Sequence, residues 1–290
     1  MAFRTDLAQE ALLHAYGSQP PQQGISENDY ITAGFSIHSV EILTPTVARQ
    51  LGKPVGRYCT LQIDPLTRRE CEAFPRAVEA LSGILTDCLH EIQKDAPILV
   101  IGLGNRAITP DAVGPLAAEH ILVTRHLRKQ KLFASWRPVS AAAPGVLGQT
   151  GVESAEFVQG LCQTVQPAAI IVIDALAAGA LSHLTRTIQV TDAGIVPGSG
   201  VGNARSAFNS ETFGVPVIAI GMPTVIDGAS ILPPSVQQES NTADALPEPV
   251  FVTPREIDLR VHDAAKVIGY SINRALHPHL ALEDLDLLLA

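Results

Sequence analysis

Pro97-Ile98-Leu99-Val100-Ile101-Gly102 is an unbroken apolar run closed by a proline at one end and a glycine at the other. Nothing in it alternates. A strand with one wet face would carry a polar residue at every second position, so this run marks a strand covered on both faces. Two more runs of the same kind, Ala169–Ile173 and Pro216–Ile220, lie downstream. Helical patterns separate them. One covers about residues 111–129 and ends in the basic turn Arg125, Arg128, Lys129, which suits a helix C-terminus. Another opens with the capping-box pattern Thr150-Gly151-Val152-Glu153 and runs to about Gln166. Buried strands alternating with helices predict an α/β fold, a three-layer sandwich around a mainly parallel sheet.

Towards the N-terminus, residues 1–30 read as a polar arm, interrupted at Gln19-Pro20-Pro21-Gln22-Gln23-Gly24. Strands are expected at Phe35–Ile42 and Arg57–Ile63, then a helix over about 76–93 with Val78, Leu81, Leu85, Cys88 and Ile92 on its apolar face. Towards the C-terminus, residues 232–250 are rich in Pro, Ser and Gln and read as a mobile surface loop. Thr253-Pro254-Arg255-Glu256 then combines a capping box with a proline at the first helical position. Ile257, Val261, Ala264, Ile268, Ile272 and Leu276 follow at helical spacing. Residues 1–290 are read as a single domain.

Composition excludes several classes. Lys and Arg number 20 against 29 Asp and Glu, a net charge of −9, which argues against a dedicated nucleic-acid or anionic-membrane surface. Hydrophobic residues make up 46%, enough for a core without disulfide or metal staples. The longest apolar stretch, Ala168–Leu181, is too short for a bilayer and carries Asp174. The opening MAFRTDLAQEALL has no apolar segment of signal-peptide type. Cys59, Cys71, Cys88 and Cys162 are scattered without a CxxC pair. They read as free thiols of a reducing compartment, and a cytoplasmic location is expected. The histidines form no ligand set. His120 falls on an apolar helix side, and His277-Pro278-His279 ends the last helix, where a cation is favourable. No metal site is expected.

Gly102-Leu103-Gly104-Asn105-Arg106-Ala107 fits a dinucleotide fingerprint only superficially. Pro110 and Asp111 fall where the phosphate-binding helix should continue, and an acid there repels a pyrophosphate. Asp192-Ala193-Gly194 resembles the loop of pepsin-type proteases but reads as a turn. Asp111 and Asp174 are harder to set aside. Asp111 lies just beyond the carboxyl end of the first buried strand, and Asp174 ends the second. Ligands of open parallel sheets bind outside those ends, and a carboxylate desolvated there has its pKa raised into a range useful for acid–base work. A helix cap at Asp111 and a turn carboxylate at Asp174 explain the same residues equally well. The loop Pro197-Gly198-Ser199-Gly200-Val201-Gly202-Asn203 either supplies backbone N–H donors at this edge or is a tight surface turn.

Longer blocks carry a resemblance: residues 100–116 (VIGLGNRAITPDAVGPL), 124–126 (TRH), 137–154 (RPVSAAAPGVLGQTGVES), 170–179 (IIVIDALAAG), 187–206 (TIQVTDAGIVPGSGVGNARS), 211–228 (ETFGVPVIAIGMPTVIDG) and 253–259 (TPREIDL). In this order they resemble the spore germination proteases, endopeptidases that degrade small acid-soluble DNA-binding spore proteins during germination. The resemblance implies a phosphorylase/hydrolase-like sandwich similar to the hydrogenase maturation endopeptidases. It also implies a catalytic aspartate pair at Asp111 and Asp174 acting on a water, with no cofactor. It implies a self-processing zymogen, a homotetramer, small acid-soluble spore proteins as partners without direct nucleic-acid or membrane contact, and residence in the forespore or spore core. Substrates of the family read acid, large apolar, Ala, any residue, Glu, and are cut after the acid. Asp6-Leu7-Ala8-Gln9-Glu10 matches, so self-cleavage is expected between Asp6 and Leu7, with residues 1–6 as propeptide. A pocket for that acid calls for a cation, and Arg106, Arg125, Arg137 and Arg205 are the candidates within matching blocks. The chain departs from the family at Gly179-Ala180, where Arg-Ser is usual, and in a segment shortened to about residues 228–252. Two rival readings are a metal-sensing maturation peptidase of hydrogenase type and an inactive binding module on the same fold.

Overall fold

The computed structural model describes residues 4–17, 23–231 and 250–289. Apart from Val250, the expected loop 232–250 lies outside the described residues, as do the first three residues of the expected propeptide. The strands are β1 (Ile25–Thr32), β2 (Phe35–Ile42), β3 (Gly56–Gln62), β4 (Ile98–Gly102), β5 (Val139–Ala142), β6 (Ala169–Ala178), β7 (Thr187–Thr191), β8 (Val217–Asp227) and β9 (Phe251–Val252). They form one sheet in the order β1-β2-β3-β7-β8-β6-β4-β5, with β9 on β8. β5, β4, β6 and β8 run parallel. β7 joins β8 antiparallel, and β3, β2 and β1 continue antiparallel to the other edge.

Helices cover both faces, as a parallel sheet requires. On one, Ala73–Cys88, Val113–Glu119 and Ile257–Leu276 bury a core continuous from Phe35 and Ile37 through Leu61, Ile188 and Ile220 to Ile171 and Val100. On the other, the Ser154–Val165 helix covers Leu99, Ile101, Ile170, Val172, Val217 and Ala219. Ala8–Tyr16 and Pro45–Leu51 cover Val40, Ile42 and Tyr58 further along that face. Among the described residues no helix is long and apolar enough to cross a membrane. All four cysteines are free.

The structure corrects several expectations. The N-terminal arm contains a helix whose Ala8 and Leu12 are core residues, and it contains β1, an edge strand with six consecutive exposed residues and no apolar alternation to read. The helix expected over 111–129 spans only Val113–Glu119. Beyond it, tertiary partners take the backbone: Leu122 N donates to Asn273 Oδ1 at 2.9 Å and Thr124 N to Val139 O at 3.0 Å. The pattern at Thr150 is a local turn rather than a cap. Its hydroxyl accepts from Val152 N at 3.2 Å, and the helix starts at Ser154. Thr253 likewise donates to Thr224 O at 2.8 Å instead of capping. His277 is no helix-end cation. It is 1% exposed beside Trp136, and burial, with the charges of His279 and Arg137, pushes its pKa down to about 4. Asp174 does not end its strand, because β6 runs on to Ala178. The strand that ends there is β4, whose Gly102 pairs with Ile173.

Candidate active site

The path out of β4 is set by two close approaches. A Cβ at Gly102 would collide with the Gly114 carbonyl, and one at Gly104, whose φ is +114°, with the Asp111 carbonyl. Only glycine tolerates both the contact and the positive φ. The chain therefore doubles back tightly, and Asp111 Oδ2 accepts from Asn105 N at 2.7 Å. Leu103 N meanwhile donates to Ile173 O at 2.8 Å, which fastens this turn to β6 one residue before Asp174.

Asp174 is 5% exposed and, among the described residues, accepts only the N–H of its own neighbour, Ala175, at 2.9 Å. Burial, then the negative charges of Asp111 and Asp6, raise its pKa well above the usual carboxylate value. Asp111 is half-buried. Burial raises its pKa too, while the Asn105 N–H favours its ionised form and limits the rise. The two carboxyls thus differ: Asp174 holds a proton more firmly, and Asp111 is the easier to ionise. Both line a cavity of about 600 Å³ with Gly104, Leu176, Arg205 and Phe208.

Asp6 lines it as well. Its N–H donates to Ala177 O at 2.9 Å, and its Oδ2 accepts from Ala177 N at 2.8 Å. Oδ1 accepts from the Ser199 hydroxyl at 2.8 Å. A Cβ at Gly200 would collide with this carboxylate. To Asp6 the glycine-rich loop contributes a hydroxyl and an open space. Four residues on, Glu10 is 3% exposed. It accepts from Gly179 N at 2.5 Å and Ala180 N at 3.0 Å, lies 2.6 Å from His183 Nδ1, and accepts the Thr5 hydroxyl. The dipeptide that departs from the family pattern is thus where a buried carboxylate is held by backbone. Lys53 Nζ donates to Thr5 O at 3.0 Å, and its pKa is lowered by burial against the opposing pull of Asp6 and Glu10.

Of the four arginines, only Arg205 lines the cavity, and it is paired with Glu153 at 3.2 Å. Arg106 pairs with Glu119 at 2.9 Å on the surface, and Arg125 donates to Thr164 O at 3.2 Å. Arg137, 6% exposed, donates to Lys94 O at 2.8 Å and Gln93 O at 2.6 Å. The acid of the Asp6-Leu7 motif is met by neutral donors, and the cation near it is Lys53. Lys53 and His183 had no motif to mark them, and neither did Gln189, whose side chain bonds Asp6 O and Ala8 N; Ser199 lay in the glycine-rich loop already singled out. The usable signals were Glu10, as the last residue of the cleavage pattern, and Gln189, polar between Ile188 and Val190. Among the described residues no three His, Cys, Asp or Glu side chains group as metal ligands.

Comparison with known proteins agrees over nearly the whole chain. A family model described as germination protease (Peptidase_A25) matches residues 5–238. The germination protease of Caldanaerobacter subterraneus subsp. tengcongensis is 38% identical, covering 100% of this chain and 98% of its own. That of Priestia megaterium is 34% identical over 98% and 96%, and that of Bacillus subtilis 34% over 97% and 95%. Among solved structures, the [NiFe] hydrogenase maturation protease HycI of Thermococcus kodakarensis aligns with 66% of this chain and 99% of its own, at 18% identity and a TM-score of 0.37. The chain belongs to the germination protease family, and is a peptidase.

Proposed function

We propose that the protein is an aspartate-pair endopeptidase of spore germination, made as a zymogen that first cuts its own chain between Asp6 and Leu7. The observation that carries this reading is the seating of Asp6 in the cavity that Asp111 and Asp174 share. Asp111, ionised, takes a proton from a water. The resulting hydroxide attacks the Asp6 carbonyl carbon while Asp174 gives its proton to the carbonyl oxygen. The tetrahedral diol then collapses: Asp111 passes its proton to the Leu7 nitrogen, the C–N bond breaks, and a diol hydroxyl returns a proton to Asp174. The unequal environments of the two carboxyls support this division of roles. No cofactor enters the scheme.

The substrates in this reading are small acid-soluble spore proteins of the spore core, cut after an acid followed by a large apolar residue, Ala, any residue and Glu. A homotetramer is part of the same proposal and is tested by mass photometry. Intact mass against time, for the full chain beside an Asp174→Asn control, tests the chemistry. Loss of Met1–Asp6 from the wild type alone is the expected result. If neither chain is clipped and neither cuts a peptide of the stated pattern, the protein is a binding module on a peptidase fold.

A further inference from the structure

β7 sends Ile188 and Val190 into the continuous core and Gln189 to the opposite face, where it is 5% exposed. A carboxamide buried there must be hydrogen-bonded, and both of its hydrogen bonds run to the N-terminal segment. Nε2 donates to Asp6 O at 3.2 Å, and Oε1 accepts from Ala8 N at 2.9 Å. This is how a neighbouring strand would pair with Leu7, whose backbone is extended at φ −81° and ψ 126°. The carbonyl that receives Nε2–H belongs to the Asp6–Leu7 peptide.

The sheet register explains why the side chain sits there. Gln189 pairs with Gly221 on β8, and Gly221 pairs with Asp174 on β6. Residues paired in register project to the same face, so the three form one row across three strands. Its ends are about 10 Å apart at roughly 4.8 Å per strand. The middle position has no side chain, and a Cβ at Gly221 would press on Leu176 Cγ at 2.5 Å. Leu176 thus lies over the position between an amide donor on one side and the Asp174 carboxyl on the other, and Asp6 lines the cavities of both. A carbonyl oxygen has two lone pairs and can take a hydrogen bond from each side.

We propose that Gln189 is a catalytic residue of the peptidase. Its Nε2–H donates to the scissile carbonyl oxygen and to the oxyanion that develops there, and its Oε1 fixes the register by holding the second N–H beyond the cut. The assignment rests on the reading that Asp6–Leu7 is the bond hydrolysed. It carries over to substrates because the contacts are to backbone, which every peptide offers.

The test uses the full chain as wild type, Gln189→Met and Gln189→Glu. Methionine keeps the size and loses both polar atoms, whereas glutamate keeps an acceptor for the Ala8 N–H and loses the donor. Self-processing is followed by intact mass, and kcat and KM are measured on a peptide containing Asp-Leu-Ala-Gln-Glu. Both variants are expected to lose about 10²- to 10³-fold in kcat, the usual effect of removing an oxyanion donor, with KM changed less than about 3-fold. If either folded variant retains wild-type kcat, or loses efficiency through KM alone, the donor role is overturned; should Gln189→Met not fold, Gln189→Glu decides. A wild type that cuts at another bond overturns the parent reading instead, and mass spectrometry separates that outcome from the first.

Discussion

The two faces of the sheet are built differently. One is a single apolar core beneath three helices, continuous from β2 to β4. The other has two smaller cores, one under the Ser154–Val165 helix and one under Ala8–Tyr16 and Pro45–Leu51. Between them lie Asp174, Gln189 and Gly221, on the strands that join the parallel half to the antiparallel half. The closed face holds the molecule together, and the gap on the other receives the chain's own N-terminal segment. Asp6 lines the gap, held by a backbone N–H and a serine hydroxyl, and Glu10 anchors the same segment through two backbone N–H groups beside His183, with no arginine on either. The difference teaches that a buried acid here follows from missing helix cover, and that its charge is answered by local dipoles.

If that division is right, substitutions on the two faces should separate chemistry from stability. The largest effect belongs to the gap: Asp111→Asn or Asp174→Asn should lower the rate of cleavage by at least about 10³-fold, with an unchanged circular dichroism spectrum. A variant that retains the rate would break the comparison at its centre. On the closed face, Leu81 is fully buried. Leu81→Ala should cost about 2–5 kcal/mol in a urea melt while leaving kcat unchanged below the transition, and a fall in kcat would show that the faces are not independent.

Glu10→Ala leaves the Gly179 and Ala180 N–H groups without their carboxylate, at about 1–3 kcal/mol. That loss should be local: amide exchange should quicken in residues 4–16 and stay slow in β4. Uniform quickening would mean that the segment belongs to the cooperative core. The smallest effect concerns pH. Because the pKa of Asp174 is raised on folding above its usual 3.8, the native state binds the extra proton, and stability falls as pH rises from about 4 through the native pKa. Asp174→Asn removes that dependence. At pH 7 it should melt above the wild type, and at pH 3 the two should coincide. A wild type that melts higher at pH 7 would mean that the site stabilises the charged form.

How much could be read beforehand followed the same division. β4, β6 and β8 were legible because both of their faces are buried and their apolar runs are continuous. β7, Thr187-Ile188-Gln189-Val190-Thr191, was not, since three of its five residues, Thr187, Gln189 and Thr191, are polar although all three are buried. Asp111 and Asp174 were legible as acids beside apolar runs, although the strand end that exposes Asp174 is that of β4. The receptor for Asp6 was not legible. It consists of the N–H and C=O of Ala177, a serine hydroxyl and the absence of a Cβ at Gly200. Backbone groups are common to every residue and leave no mark in a sequence. The expectation of an arginine assumed that charge must be met by charge, and hydrogen bonds from oriented amides do the same work.

The Asp6 carboxylate is held in its site while its own chain stays attached. A tethered group faces its pocket at an effective concentration of order millimolar, whatever the concentration of the protein. No dilution empties the site, so on the zymogen reading proposed above latency would need neither a long pro-segment nor a tight one. Hydrolysis after Asp6 would change the molecularity of that contact. The released piece, Met1–Asp6, would then rebind only in proportion to its own concentration, and in a dilute solution that tends to zero. Maturation would thus act as a ratchet: a few hydrogen bonds would suffice to block the site within one chain and would be too few to block it between two.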